Sequence, residues 1–80
     1  MDLSLQGKSA LVLGSTKGIG YGIAKVLLDQ GAKVGIVGRD RSNAEKVAKN
    51  LSDDAAGFGC DTSKIEQINN LYGNFYSKFG

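Results

Sequence analysis

Residues 11–20 read Leu-Val-Leu-Gly-Ser-Thr-Lys-Gly-Ile-Gly, and this stretch decides the fold. A short apolar run that ends at Leu13 predicts a strand, and the glycines after it predict a tight turn into a helix. Backbone N–H groups in the first turn of a helix carry a partial positive charge and bind anions. The stretch therefore predicts a strand, a phosphate-binding turn and a helix in immediate succession.

The rest of the chain repeats this alternation of strand and helix. The first helix is predicted over residues 18–30, with Gly31 as its C′ residue. Capping-box patterns that begin at Ser42 and Ser63 predict the starts of the second and third helices. Three alternations indicate an α/β fold with a parallel sheet and right-handed crossovers, built as one domain or a piece of one. The predicted strands cover residues 9–13, 33–37 and 56–60.

Apolar residues at helical spacing predict which face of each helix packs on the sheet. The predicted faces consist of Ile19, Ile23, Val26 and Leu27 in the first helix, Ala44, Val47, Ala48 and Leu51 in the second, and Ile65, Ile68, Tyr72, Phe75 and Phe79 in the third.

Composition excludes several classes of protein. The chain has 80 residues, of which 41% are hydrophobic and 22% are charged, as is typical of a globular domain. It has no apolar run long enough to span a membrane and no signal peptide. The lack of histidine excludes His-based catalysis and most zinc sites within this chain, and a net charge of +2 gives little support for nucleic-acid binding. Cys60 is the only cysteine, so a reducing cytoplasm is the simplest setting.

The glycine-rich turn has the spacing GxxxGxG. Its three glycines let a diphosphate approach the backbone, the hydroxyls of Ser15 and Thr16 are candidate donors, and Lys17 adds a cation. The spacing differs from the GxGxxG fingerprint, and it is not a P-loop because Lys17 precedes a glycine. The alternative is a tight turn without a ligand. The position of the motif between strand and helix favours the nucleotide site.

The end of the second strand indicates which cofactor binds. A site for NAD places a carboxylate there for the ribose 2′-hydroxyl, whereas the 2′-phosphate of NADP requires a cation. Here Gly38 is followed by Arg39, whose guanidinium can bind phosphate, and Lys17 can reach the same phosphate. Asp40 can point away and cap the next helix. The pattern favours NADP(H), and the alternative for Arg39 is a solvated surface charge.

The combined pattern resembles the N-terminal third of a short-chain dehydrogenase/reductase, of the type that reduces 3-oxoacyl groups on a carrier protein. The resemblance extends over residues 7–80. It implies a Rossmann-like parallel sheet with the strand order 3-2-1, which is half of a doubly wound fold. One departure is Leu13, where the family has a threonine whose hydroxyl ties the turn to its surroundings. The segments that carry the resemblance are residues 14–20, 31–34, 38–40 and 60–62.

The resemblance also implies which residues bind the cofactor. Arg39 is implied to select NADP(H), and Asp61 is implied to contact the adenine amino group, with Thr62 beside it in the same motif. The residues implied to hold the pyrophosphate are Gly14, Ser15, Thr16, Lys17, Gly18, Ile19 and Gly20.

By the same resemblance, the chain is the N-terminal part of a dinucleotide-binding domain. Hydride would pass between the nicotinamide and a carbonyl or alcohol substrate, but the family's catalytic groups follow the position of residue 80. We therefore expect no catalytic and no metal-binding residue in this chain. The first strand would be an exposed edge, covered by the rest of the domain or by a second copy of the chain.

Two sequence patterns imitate the catalytic motifs of that family. Tyr21 and Lys25 have the Tyr-x-x-x-Lys spacing, but they lie in the first helix, where the ring is expected to pack along the lysine stem. Asn69 and Asn70 resemble its Asn-Asn-Ala-Gly turn, but they lie in an amphipathic helix, where a solvated face is expected. Cys60 is expected to be a buried residue rather than a reactive thiol.

Functions from two classes remain. The first is an NADP(H)-dependent oxidoreductase, of which this chain supplies the cofactor half. The second is a non-catalytic dinucleotide-binding or assembly module that works as it stands. A methyltransferase is disfavoured because its site places an acid at the end of the second strand, where Gly38 and Arg39 stand.

Overall fold

The computed structural model describes residues 7–79, which form a parallel sheet with helices on both of its faces. Residues 1–6, where no signal peptide is expected, and Gly80, where the resemblance ends, lie outside the described residues. The elements alternate strictly along the chain as β1 (Ser9–Val12), α1 (Gly18–Asp29), β2 (Lys33–Gly38), α2 (Arg41–Leu51), β3 (Ala55–Gly59) and α3 (Ile65–Phe79).

The order of the strands in the sheet is β1-β2-β3, which confirms the predicted order 3-2-1. Both pairings are parallel, with Val12 opposite Ile36 and Gly38 opposite Gly59. Among the described residues, β1 and β3 are therefore the edge strands, as expected for the first strand. Because the strands are parallel, their carboxyl ends meet at one edge of the sheet, where ligands of open α/β sheets bind.

The central strand β2 faces a different helical layer with each successive side chain. Ile36 is fully buried in a cluster that contains Ala24 of α1 and Ala48 of α2. Val37, the next residue, packs in a second cluster with Leu71 of α3. Thus α1 and α2 cover one face of the sheet and α3 covers the other.

The end of α1 is the predicted glycine cap. Gly31 has a φ of 94° and donates its N–H to the Leu28 carbonyl at 3.0 Å, while Ala32 donates to the Leu27 carbonyl at 3.1 Å. These two bonds form a Schellman motif, in which a residue with positive φ satisfies the last carbonyls of the helix.

Both predicted capping boxes are wrong, and for the same reason. The N-cap of α2 is Asp40, whose carboxylate accepts from the N–H groups of Ser42 and Asn43 at 3.0 and 3.3 Å. Likewise, Ser63 donates its N–H to Asp61, and α3 begins only at Ile65. In each case an aspartate two residues before the serine accepts the amide, because an ionised carboxylate is a stronger acceptor than a hydroxyl.

The predicted packing face of α1 is also wrong in part. Ile19 is 84% exposed, and Ile23 and Val26 are exposed as well, while Ala24 is fully buried and Leu27 packs against the core. Helix α1 is apolar around most of its circumference, so spacing alone does not choose between faces. The buried face contains Ala24, whose small side chain allows close approach to the sheet.

The face of α3 is rotated in the same way from the predicted one. Ile65, Ile68 and Tyr72 are exposed, whereas Leu71 is buried. Phe75 and Phe79 are half-buried as predicted, and Phe75 makes edge-to-face contacts with Phe79 and with Phe58 of β3, at centroid distances of 5.3 and 6.1 Å. The aromatic contacts fix the rotation of α3.

The face of α2 is confirmed. Ala44 and Ala48 are buried, and Val47 and Leu51 pack against the same core.

Candidate functional site

The glycine-rich turn joins the carboxyl end of β1 to the first residue of α1. Gly14 and Gly18 have φ values of 62° and 67°, in the left-handed region that favours glycine. A Cβ atom on Gly20 would collide with the carbonyl oxygen of Gly14, so α1 lies directly against the turn. Nothing lies within 4 Å of the positions that Cβ atoms on Gly14 and Gly18 would take, so no side chain covers the backbone at these two residues.

The first turn of α1 keeps its amide groups available. Lys17, the N-cap residue, has extended backbone angles and makes no side-chain cap, and the first turn contains no acidic residue. By contrast, the equivalent end of α2 is closed by the Asp40 carboxylate. Uncapped N–H groups at a helix start require an acceptor and favour a negative charge. The start of α1 therefore suits an anionic group.

Ser15 has a different role from the one predicted. Its side chain is fully buried, and its hydroxyl donates to the Val12 carbonyl at 2.6 Å and accepts from the Val37 N–H at 2.8 Å. Its own N–H donates to the Val37 carbonyl at 3.0 Å. Both donors of Ser15 are thus used within the protein, and the expectation that its hydroxyl donates to a phosphate is wrong. Ser15 instead ties the turn to β1 and β2, which compensates for the hydroxyl absent at Leu13.

The other residues of the turn remain candidates for the site. The side chain of Lys17 is exposed, and that of Ile19 is also exposed, so Ile19 would contribute through its backbone. Thr16 is half-buried, and its side chain lies against Gly38 at the end of β2.

The two residues predicted to recognise the adenosine end lie next to each other. Nη2 of Arg39, just after β2, is 3.8 Å from Oδ1 of Asp61, just after β3. The ends of these strands are held together because Cys60 donates its N–H to the Gly38 carbonyl at 2.9 Å. Arg39 is 84% exposed, so its guanidinium can turn to another anion. The candidate residues at the carboxyl ends of all three strands thus lie along one edge of the sheet.

The Asp61 carboxylate is held in its ionised form. Oδ1 accepts from the Ser63 hydroxyl at 2.7 Å and from the Ser63 N–H at 3.0 Å. These hydrogen bonds are the main causes that lower the pKa of Asp61 below its ordinary value of 3.8, and the positive charges of Arg39 and Lys64 lower it further. An ionised carboxylate only accepts hydrogen bonds, which suits it to an amino group such as that of adenine. Thr62, the next residue, is exposed.

Two residues that position Asp61 were not predicted for that role. Ser63 was assigned to a helix cap, although the Asp-x-Ser spacing is typical of an Asx turn and could have indicated the contact. Gln67 accepts the Asp61 N–H on its Oε1 at 2.8 Å. No sequence pattern signals the Gln67 contact, because it depends on how α3 returns to the end of β3.

The Asp61–Ser63 contact predicts a pH dependence. Because the folded pKa of Asp61 is lowered, its ionised form stabilises the folded chain above the ordinary pKa, and this contribution is lost as the pH falls through the folded pKa. Substitution Ser63→Ala should raise the Asp61 pKa toward its ordinary value, as measured by NMR titration of the carboxyl carbon. Ser77→Ala, a change at an exposed serine on α3, should leave the titration unchanged. An unmoved titration in Ser63→Ala would show that the Ser63 hydroxyl does not lower the pKa of Asp61.

The two patterns that imitate catalytic motifs both lie on helices. Tyr21 and Lys25 are in α1, as predicted, and their mutual packing stays a prediction. Asn69 and Asn70 are exposed on α3, which confirms the solvated face, and Cys60 is buried. In the part of the chain that the structure describes, no three potential metal ligands lie together. Over residues 7–79, no helix has the length and apolar character needed to cross a membrane.

The chemistry of these groups fits a dinucleotide. The open start of α1 offers amides to a diphosphate, Arg39 and Lys17 are exposed cations beside it, and Asp61 offers an acceptor at the far end. No carboxylate projects from the end of β2, because position 38 is glycine and the Asp40 carboxylate caps α2.

Comparisons with known proteins agree with this arrangement. A family model described as short chain dehydrogenase matches residues 8–80. An uncharacterized oxidoreductase of Staphylococcus saprophyticus is 37% identical to this chain over an alignment of 82 residues. The alignment covers 98% of this chain and 35% of that protein. D-beta-hydroxybutyrate dehydrogenase of Cupriavidus necator is 42% identical over 79 residues, which cover 95% of this chain and 31% of that enzyme.

A solved structure agrees in fold as well as in sequence. The crystal structure of 3-ketoacyl-(acyl-carrier-protein) reductase from Brucella melitensis complexed with NADH matches with a TM-score of 0.89 at 43% identity. The match covers 96% of this chain and 32% of that one. The chain therefore spans about a third of the length of the relatives that it matches.

Proposed function

Because the chain belongs to the short-chain dehydrogenase family, we propose that it is the NADP(H)-binding portion of an oxidoreductase that acts on a carbonyl or alcohol substrate. The observation that carries this proposal is the open start of α1 at the carboxyl edge of the sheet, with Arg39 and Asp61 at the neighbouring strand ends. A nicotinamide dinucleotide bound there would donate a hydride to a carbonyl substrate or accept one from an alcohol.

The pyrophosphate is assigned to the turn between β1 and α1. The backbone amides at the start of α1 provide donors, Gly14 and Gly18 keep side chains out of their way, and Gly20 lets α1 pack against the turn. Lys17 provides a positive charge at the entry to α1. Ser15 supports the site only indirectly, since its bonds to Val12 and Val37 hold the turn in place.

The preference for NADP(H) over NAD(H) rests on the end of β2. A site for NAD uses a carboxylate on the ribose 2′-hydroxyl, but Gly38 has no side chain and Asp40 is engaged as the N-cap of α2. Arg39 is exposed and can form a charge-assisted pair with a 2′-phosphate. The Brucella melitensis relative holds NADH, so NAD(H) is the cofactor against which this preference must be tested.

We further propose that the 80-residue chain binds the cofactor but does not catalyse the reaction. The sequence contains one Tyr-x-x-x-Lys spacing, at Tyr21 and Lys25, and these residues lie in α1, directly behind the turn that is assigned to the pyrophosphate. The match covers only about a third of each relative, so most of each relative lies outside it. This supports a catalytic part outside the 80 residues. Buried Cys60 as the single cysteine supports a reducing compartment such as the cytoplasm.

Direct measurement of binding and turnover tests both proposals. We expect NADPH to bind the chain more tightly than NADH, because only NADPH offers the 2′-phosphate to Arg39. Binding can be followed by the fluorescence of the reduced nicotinamide, and turnover by its loss of absorbance with a panel of ketones. Equal affinity for the two cofactors would contradict the NADP(H) preference. Ketone reduction by the chain alone would contradict the proposal that it lacks the catalytic groups.

A further inference from the structure

We propose that Thr16 is a specificity-determining residue, because its methyl group fills the space that a side chain at position 38 would need. A Cβ atom built on Gly38 would lie 2.7 Å from Cγ2 of Thr16 and 3.4 Å from its Oγ1. A separation of 2.7 Å is well inside van der Waals contact, which begins at about 3.5 Å between carbon atoms. A glycine at position 38 is therefore required by a residue of the phosphate-binding turn.

Neither backbone can easily withdraw from this contact. Ser15, which precedes Thr16, is fixed by hydrogen bonds to Val12 and Val37. Gly38 accepts the Cys60 N–H at 2.9 Å, and its strand is paired on both sides. Threonine is β-branched and stiff at χ1, so rotation of the methyl group away from Gly38 costs energy. A side chain at position 38 can therefore be accommodated only if the residue at position 16 is made smaller.

The consequence for cofactor choice follows from the chemistry of the ribose. The carboxylate that recognises a 2′-hydroxyl stands at the end of the second strand, which is position 38 here. With Thr16 in place, that position cannot carry a side chain without strain. This inference rests on the proposed function, since it concerns how the same site excludes an NAD-type carboxylate. Arg39 would attract the 2′-phosphate, and Thr16 would keep the competing carboxylate out.

The packing part of the inference is tested without any cofactor. Gly38→Ala should lower the melting temperature of the chain by at least about 4 °C, because it overpacks the contact with Thr16. Thr16→Ala combined with Gly38→Ala should recover most of this loss, since the nearest remaining side-chain atom, Cβ of Thr16, is 3.7 Å away. The matched control is Thr16→Val with Gly38→Ala, which keeps a branched side chain and should keep the loss. Equal melting temperatures for the two double variants would overturn the inference.

The specificity part is tested by cofactor binding in the same background. Gly38→Asp alone should not gain affinity for NADH, whereas Thr16→Ala with Gly38→Asp should bind NADH at least about tenfold more tightly than Thr16→Val with Gly38→Asp. If all three variants bind NADH equally while the unchanged chain binds NADPH, the inference is wrong and the proposed function stands. If the unchanged chain binds neither cofactor, the proposed function is wrong, and the inference about specificity is overturned with it.

Discussion

Arg39→Ala should weaken the binding of NADPH by about 10- to 150-fold and leave the binding of NADH nearly unchanged. The estimate corresponds to ~1.5–3 kcal/mol for hydrogen bonds to a charged group. Arg39 is the 84% exposed member of a long ion pair, at 3.8 Å from Asp61, so its removal costs the fold little. The substitution should therefore lower the affinity for NADPH, which carries the 2′-phosphate, without unfolding the chain. Dissociation constants for the two reduced cofactors, measured by fluorescence titration, give the comparison.

Arg41→Ala provides a matched control for this experiment. Arg41 is also exposed and also pairs with a carboxylate, Glu45, at 3.7 Å, but it lies in the first turn of α2. It should affect both cofactors alike and only slightly, and the effect should diminish in high salt. A loss of NADPH affinity in Arg41→Ala as large as that in Arg39→Ala would contradict the specific assignment of Arg39.

Ser15→Ala should lower the free energy of unfolding by about 2–3 kcal/mol, a large fraction of the stability of a small domain. The substitution leaves the Val37 N–H and the Val12 carbonyl without the hydroxyl that now bonds both. Buried polar groups without a partner cost more than the hydrogen bond was worth, because they are not rehydrated. Denaturation by urea, followed by circular dichroism, measures the effect.

Ser42→Ala is the control for the loss of a serine hydroxyl. Ser42 is exposed on α2, and its backbone N–H rather than its side chain bonds Asp40. Its substitution should change the free energy of unfolding by less than about 0.5 kcal/mol. Similar stability losses in Ser15→Ala and Ser42→Ala would show that the Ser15 hydroxyl does not join the turn to the two strands.

The backbone arrangement could be predicted from local sequence patterns. The alternation of apolar runs with helical spacing and the glycine after α1 depend on short-range preferences, which the sequence displays directly. The family resemblance added the strand order, and the location of Arg39 and Asp61 at neighbouring strand ends followed from parallel topology.

Side-chain roles were harder to predict because they depend on contacts between distant segments. Ser15 was expected to face a ligand, but it bonds Val37, 22 residues along the chain. The face of α1 was misassigned because this helix carries apolar residues around much of its circumference. In α3 the apolar residues form one stripe, but only the side of it that contains Leu71, Phe75 and Phe79 packs on the sheet. The rotation of the two helices is set by close packing at Ala24 and by the aromatic contacts of Phe75, neither of which is visible in the spacing.

The central claim is that a dinucleotide with a 2′-phosphate lies across the carboxyl ends of the strands. Titration of the ¹⁵N-labelled chain with NADPH, observed by amide NMR, tests it most directly. We expect the largest shifts at residues 14–20, 39 and 61, and we expect the shift at residue 39 to be much smaller with NADH. Shifts confined to other parts of the chain, or no shifts at saturating NADPH, would contradict the account.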